Sequence, residues 1–132
     1  MKDTELYNEI GESKEDYLEA ILELEKVFET IRSIDLANYL NYSRPSISRA
    51  IHTLQKDGFI SIHKNRTLSL TSSGRKIASC IYHRRTFFTD LLIKSGVSRE
   101  LAEVDAKKME HSISSESFRQ LKSYLKNLEE SN

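Results

Sequence analysis

The sequence is poor in the residues that interrupt or staple a chain. It has one proline (Pro45), four glycines (Gly11, Gly58, Gly74 and Gly96), one cysteine and no tryptophan. A lone Cys80 excludes a disulfide within the chain and any Cys-rich metal site. No apolar run approaches the roughly 20 residues needed to span a bilayer, so no membrane is expected as a partner. The first ten residues, Met1 to Ile10, are acidic and polar and do not read as a signal peptide, which makes the cytoplasm the expected compartment. A Gly-rich phosphate loop and a nucleophile motif are also missing, so an enzyme and a small organic substrate are not expected.

Net charge is absent as well. Lys and Arg number 20, as do Asp and Glu, but they are unevenly placed. Residues 1–31 hold 3 basic and 10 acidic side chains, residues 32–85 hold 10 and 2, and residues 86–132 hold 7 and 8. The middle block therefore carries a local charge of +8, with no acid between Asp35 and Asp57. A basic block between acidic and neutral flanks is the electrostatic footprint of a nucleic-acid binder; alone, it is equally a solvated basic face.

With so few breakers, the chain reads as mostly α with a small β-hairpin. Ser13, followed by Glu15 and Asp16, suits a helix start, with acids near the positive end of the helix dipole. Tyr17, Leu18, Ile21, Leu24, Val27 and Phe28 then recur at helical spacing. A short second helix fits Ser33 to Tyr39, with Ile34, Ala37 and Leu40 inward, and Asn41-Tyr42 turns the chain. Ser43 caps a third helix, with Arg44 and Pro45 in its first turn, where a missing N–H costs nothing. Ile47, Ala50, Ile51 and Leu54 form its apolar stripe, and Asp57-Gly58 ends it. The period then changes: residues 59–63 and 67–71 read as two strands around the polar turn Lys64-Asn65-Arg66. With Thr71 or Ser72 as cap, a long helix runs to about Lys94. A fifth fits Ser98 to His111, and a sixth fits Ser115 to Leu128.

Helix, helix, turn, helix and hairpin is the order of a winged helix-turn-helix, here followed by a helical domain; the expected division is 1–72 and 73–132. In such a unit the third helix enters the major groove. Off its apolar stripe lie Arg44, Ser46, Ser48, Arg49 and His52, all able to donate hydrogen bonds to base edges. Ser43, Ser46 and the free N–H groups around Pro45 suit phosphate oxygens, and Lys64, Asn65 and Arg66 at the hairpin tip suit the DNA backbone. The rival is a winged helix used only for protein contact, which the acid-free basic stretch disfavours. The expected partner is a double-stranded DNA operator.

Four segments in order carry a family resemblance: Glu15-Asp16-Tyr17-Leu18-Glu19-Ala20-Ile21, Ser43-Arg44-Pro45-Ser46-Ile47-Ser48, Leu70-Thr71-Ser72-Ser73-Gly74 and Asp105-Ala106-Lys107-Lys108-Met109-Glu110-His111-Ser112. From about Ser13 to Leu125 the chain resembles the diphtheria toxin repressor family of metal-dependent transcription regulators, in the short form typified by manganese transport regulators. The resemblance implies a homodimer joined through the helices after the wing. It also implies repression of metal-uptake operons when Mn(II) or Fe(II) binds between the DNA-binding and dimerisation parts.

The family's metal ligands carry over to Asp16 and Glu19 on the first helix and to Glu110 and His111 on the fifth. Carboxylate and imidazole donors suit Mn(II) or Fe(II). Two further ligand positions depart from the family. One, on the long helix, is Arg85, with His83 two residues away; the other is Lys107, three residues before Glu110. Asp16, Glu19 and Glu110 supply three negative charges, and Arg85 and Lys107 two positive ones. Arginine is always protonated and cannot ligate a cation. The main expectation is therefore a homodimeric repressor of metal-homeostasis genes with an altered metal site. The alternative is a metal-independent regulator that binds no metal, in which Arg85 and Lys107 replace the ion through salt bridges.

Overall fold

The computed structural model describes residues 12–131, so Met1 to Ile10 lie outside the described residues. The order is α1 (Glu12–Leu24), α2 (Ser33–Leu40), α3 (Arg44–Lys56), β1 (Ile60–Ile62), β2 (Leu68–Leu70), α4 (Ser72–Lys94), α5 (Arg99–Met109) and α6 (Ser115–Ser131). The chain forms two compact units, which part inside α4 between Cys80 and Ile81.

The first unit is a winged helix-turn-helix. Leu18, Ile21 and Leu24 of α1, Leu36 and Ala37 of α2, and Ile47, Ile51 and Leu54 of α3 are buried together with Ile60, Leu68 and Leu70 of the hairpin. These side chains come from three helices and both strands, and their removal from water is the main favourable term in forming the unit. The caps explain where its helices begin. The Arg32 N–H donates to Asp35 Oδ2 at 2.8 Å ahead of α2, and Asn41 ends that helix in the left-handed conformation, φ 58°. The strands pair antiparallel, Ile60 with Leu70 and Ile62 with Leu68. Leu68 N–H also donates to Ile31 O at 2.7 Å, which lays the α1–α2 connection along the hairpin's edge.

Three details differ from the sequence reading. Helix α1 stops at Leu24, so Val27 (76% exposed) and Phe28 (43%) are not part of its buried stripe. The Val27 N–H turns back to Leu24 O in a tighter i→i+3 bond, as helix ends commonly do. In α2 the buried residues are Leu36 and, as expected, Ala37, whereas Ile34 is 38% exposed and Leu40 half-buried. Both strands are one residue shorter at each end: His63 and Thr67 belong to the turn, Thr71 opens the next helix, and its partner Phe59 falls outside the first strand.

Thr71 opens α4: its Oγ1 accepts from the Gly74 N–H at 3.2 Å while its hydroxyl donates to Gly58 O at 2.7 Å. The second unit contains the rest of α4 with α5 and α6. Phe88, Ala106 and Phe118 form its buried centre, with Phe87, Met109, Ile113 and Leu121 packed against them. The rings of Phe87, Phe88 and Phe118 lie 5.2–5.8 Å apart, two of the three pairs edge to face, an arrangement favoured by the ring quadrupole. Ser98 caps α5, accepting from the Leu101 N–H at 3.3 Å. Helix α5 ends at Met109, so Glu110 is its C-terminal cap and His111 lies beyond it, rather than both being helical. Helix α6 runs a turn further than expected, to Ser131. Among the described residues no helix is long and apolar enough to cross a membrane.

Candidate nucleic-acid interface and metal-ligand positions

The third helix begins as its sequence dictates. Ser43 Oγ accepts from the Ser46 N–H at 3.3 Å and lies 2.9 Å from Ser46 Oγ, with Pro45 in the first turn. The cap fixes where the helix starts and therefore which side chains its first turns present. Burial of Ile47, Ile51 and Leu54 orients the opposite face outward, leaving Arg44, Pro45, Ser48, Arg49 and His52 exposed and Ser46 half-buried. The His52 ring is held by its own helix: Nδ1 lies 2.7 Å from Ser48 O. Since a carbonyl only accepts, Nδ1 carries the proton. Tyr17 of α1 meets Tyr42, in the turn before α3, edge on at 5.8 Å. Burial, and then the neighbouring Tyr42, raise the Tyr17 phenol above its usual pKa.

The hairpin tip is a turn stabilised from within. His63 N–H donates to Thr67 O, and Arg66 N–H to His63 O, both at 2.9 Å. Asn65 Oδ1 accepts from the Thr67 hydroxyl at 2.7 Å and from its N–H at 3.2 Å. Asn65 thus shapes the turn with one half of its amide, leaving only the NH2 half to face outward. Arg66 adopts φ 67°, a left-handed conformation uncommon for a residue with a β-carbon. Lys64, Asn65 and Arg66 are all exposed. His63 Nε2 lies 2.8 Å from Ser69 Oγ across the hairpin.

The expected metal-ligand positions fall in two pairs. In the first unit Asp16 is half-buried and Glu19 buried, one helical turn apart on α1. In the second unit Glu110 is fully buried (0% exposed), and His111 Nε2 lies 3.2 Å from its Oε1. Arg85 completes this cluster: Nη2 donates to Glu110 Oε1 at 2.9 Å and Nε to Oε2 at 3.0 Å. Such a two-pronged pair is among the strongest hydrogen-bonded contacts available to a carboxylate. Lys107 is different: it is exposed and enters no ion pair among the described residues. His83 is exposed, accepts from Lys122 Nζ and meets Phe118 edge on. Partial desolvation against its neighbours, and then the nearby Lys122 charge, hold its pKa below the usual histidine range.

Sequence reasoning missed Arg84. It is 3% exposed and donates from Nη1 to the carbonyls of Glu110 (3.0 Å) and Ile113 (2.6 Å), and from Nη2 to Ser115 Oγ (2.9 Å). Its guanidinium lies 5.3 Å from the centre of the Phe118 ring. The side chain therefore gathers carbonyls left over where α5 ends, at the negative end of a helix dipole, and fixes the segment that carries Glu110 and His111. A signal was present in the sequence: Arg84 continues the buried i, i+4, i+7 and i+11 stripe of Ile77, Ile81 and Phe88.

The donor chemistry of a carboxylate beside an imidazole suits Mn(II) or Fe(II), but the arrangement around Glu110 does not. Both oxygens of Glu110 are taken by a permanent cation. In the second unit, then, the residues present do not fit a bound divalent ion without rearrangement.

Two family models match the chain in succession. Residues 9–68 match the family model of the iron dependent repressor N-terminal DNA-binding domain, and residues 71–132 that of its metal-binding and dimerisation domain. The chain is 33% identical to the transcriptional regulator MntR of Escherichia coli over 104 residues, covering 79% of this chain and 67% of that protein. It is 29% identical to the iron-dependent repressor IdeR of Mycobacterium tuberculosis over 121 residues, covering 91% and 53%. The structure of the manganese regulator SloR superposes with a TM-score of 0.74 at 25% identity, covering 86% and 53%. The chain thus spans about two thirds of the length of MntR, and about half that of IdeR and SloR. Two consecutive family matches across nearly all of the sequence, together with a winged helix followed by a helical unit, show that the chain belongs to the iron-dependent repressor family of transcription regulators, not to a family of enzymes.

Proposed function

We propose that the chain is a cytoplasmic, homodimeric DNA-binding repressor of metal-homeostasis genes, of the Mn(II)- or Fe(II)-dependent type, with an altered metal site. Its division into a DNA-reading part (residues 1–72) and a dimerisation part (73–132) belongs to the same reading. The observation that carries it is the outer face of α3. A Ser43-capped helix start exposes Arg44, Ser48, Arg49 and His52 together, opposite a buried apolar stripe, in the most basic part of the chain. Arg49 and Arg44 reach base edges or phosphates, Ser43 and Ser46 contact phosphate near the helix start, and Lys64 and Arg66 clasp the backbone from the hairpin tip. The retained metal-ligand positions are Asp16, Glu19, Glu110 and His111. A homodimer would recognise a near-palindromic operator with half-sites a whole number of helical turns apart.

The test is binding to the DNA upstream of the protein's own gene, using chelator-stripped protein with and without added Mn(II), over a range of salt. The reading requires specific binding that falls steeply as salt rises, since phosphate contacts release counterions. Binding that is absent with and without metal, or insensitive to salt, would reject it in favour of a protein-contact module.

A further inference from the structure

We infer that Arg85 is the resident cation of Glu110, so that a divalent ion and the Arg85 guanidinium exclude each other at this carboxylate. The two nitrogens of one guanidinium occupy the two oxygens of a fully buried carboxylate, at 2.9 and 3.0 Å. A buried carboxylate is costly unless paired, and Arg85 supplies the pairing within the same chain and without titrating. Arg84, the preceding residue, holds the backbone carbonyl of the same Glu110. Successive arginines of α4 therefore grip one residue by its main chain and by its side chain. Metal is thus not required to order the end of α5, and any ion reaching Glu110 must first break the two-pronged contact. Of the two cations that stand at altered family positions, only Arg85 does this, because Lys107 is exposed and enters no ion pair among the described residues.

This deepens the proposed function, resting on it only for Glu110 and His111 as the relevant ligand positions. The test uses Mn(II) itself and no DNA, so a failure of DNA binding would count against the proposed function alone. Mn(II) affinity is measured calorimetrically on the full chain as wild type, Arg85→Gln and Arg85→Gln with Glu110→Gln. Removing a fixed positive charge beside a divalent ion is expected to tighten Mn(II) binding about tenfold or more, and the second substitution is expected to abolish that gain. An Arg85→Gln protein that binds Mn(II) no more tightly than wild type overturns the inference, as does a gain that survives loss of the Glu110 carboxylate. Should Arg85→Gln fail to fold, the Arg85 Nε–H nitrogen-15 resonance of the wild type decides instead, during titration with diamagnetic Cd(II). A hydrogen-bonded signal that persists without Cd(II) uptake, or is lost in step with uptake, supports exclusion. Cd(II) uptake with that signal intact overturns it.

Discussion

A β-carbon placed on Gly74 would stand 2.0 Å from the carbonyl oxygen of Phe59 and 2.9 Å from its carbonyl carbon. The first turn of α4 lies directly on the backbone that enters the hairpin, and the Thr71 N–H donates to the same Phe59 carbonyl at 3.1 Å. Relief would require moving backbone, not a flexible side-chain end. Gly74→Ala is therefore expected to lower the stability of the first unit by about 2–3 kcal/mol. Urea denaturation followed by circular dichroism measures this; a change within about 0.5 kcal/mol would show that the contact relaxes freely.

Glu25 and Arg75 also join α4 to the end of α1, by two bonds of 2.8 and 2.9 Å. The carboxylate bonded to it raises the pKa of Arg75 further, keeping the guanidinium charged. Yet Arg75 is about half exposed, and solvent screens the pair. Glu25→Gln is expected to cost no more than about 1 kcal/mol, a loss that shrinks in high salt. Comparing it with Gly74→Ala at the same junction separates electrostatic from steric contributions.

Replacing Arg84 with Met keeps an unbranched, apolar stem but leaves the carbonyls of Glu110 and Ile113 without that donor in a buried setting. The expected cost is about 3 kcal/mol, concentrated in the second unit. Amide hydrogen exchange is the informative readout: protection should fall around residues 110–115 while that of α3 is retained. Unchanged protection there would assign the positioning of Glu110 to other contacts.

His83 gives the second unit a pH dependence. Its pKa is held below the usual histidine range, through partial desolvation first and the Lys122 charge second. The unfolded chain therefore binds the proton more readily than the folded one. The stabilising contribution is fully present above pH 6.5 and is lost as pH falls through the lower folded pKa. His83→Gln should flatten the stability profile over that acidic window; an unaltered profile would remove His83 as its source.

On the DNA side, Arg49→Ala is expected to weaken operator binding by about 1–3 kcal/mol and to relax preference at one base position, whereas Lys64→Ala should weaken all sequences alike and lower the salt slope by about one. Equal effects on specific and unrelated DNA for both variants would place Arg49 on phosphate instead.

Much of this molecule was legible because its punctuation is sparse and local. Ser43 with Pro45, and Asp57 with Gly58, delimit α3 by cap chemistry that operates within a few residues. The hairpin announces itself by a change of period. Apolar spacing alone carries α1 on through Val27 and Phe28, because no glycine marks Leu24 as its end. Hydrophobicity points Ile34 inward, but the rotation of α2 is set by packing of Leu36, which periodicity over eight residues cannot fix. The family resemblance singled out Arg85 and Lys107 as a matched pair of cations. Only the folded chain separates them, because the partner of Arg85 is 25 residues away and the Lys107 side chain faces solvent.

His52 is bonded to the carbonyl of Ser48 in its own helix. With its Nδ1 proton committed to the helix carbonyl, a neutral His52 offers only the Nε2 lone pair outward. In the proposed DNA complex it would act as an acceptor among donors, flanked by Arg44, Ser48 and Arg49. The donors in the major groove are the amino groups of adenine and cytosine. At the base pair it faces, this histidine would therefore favour an exocyclic amine, in contrast to the guanine preference of its arginine neighbours. The operator would then alternate in hydrogen-bond polarity along a single helix face.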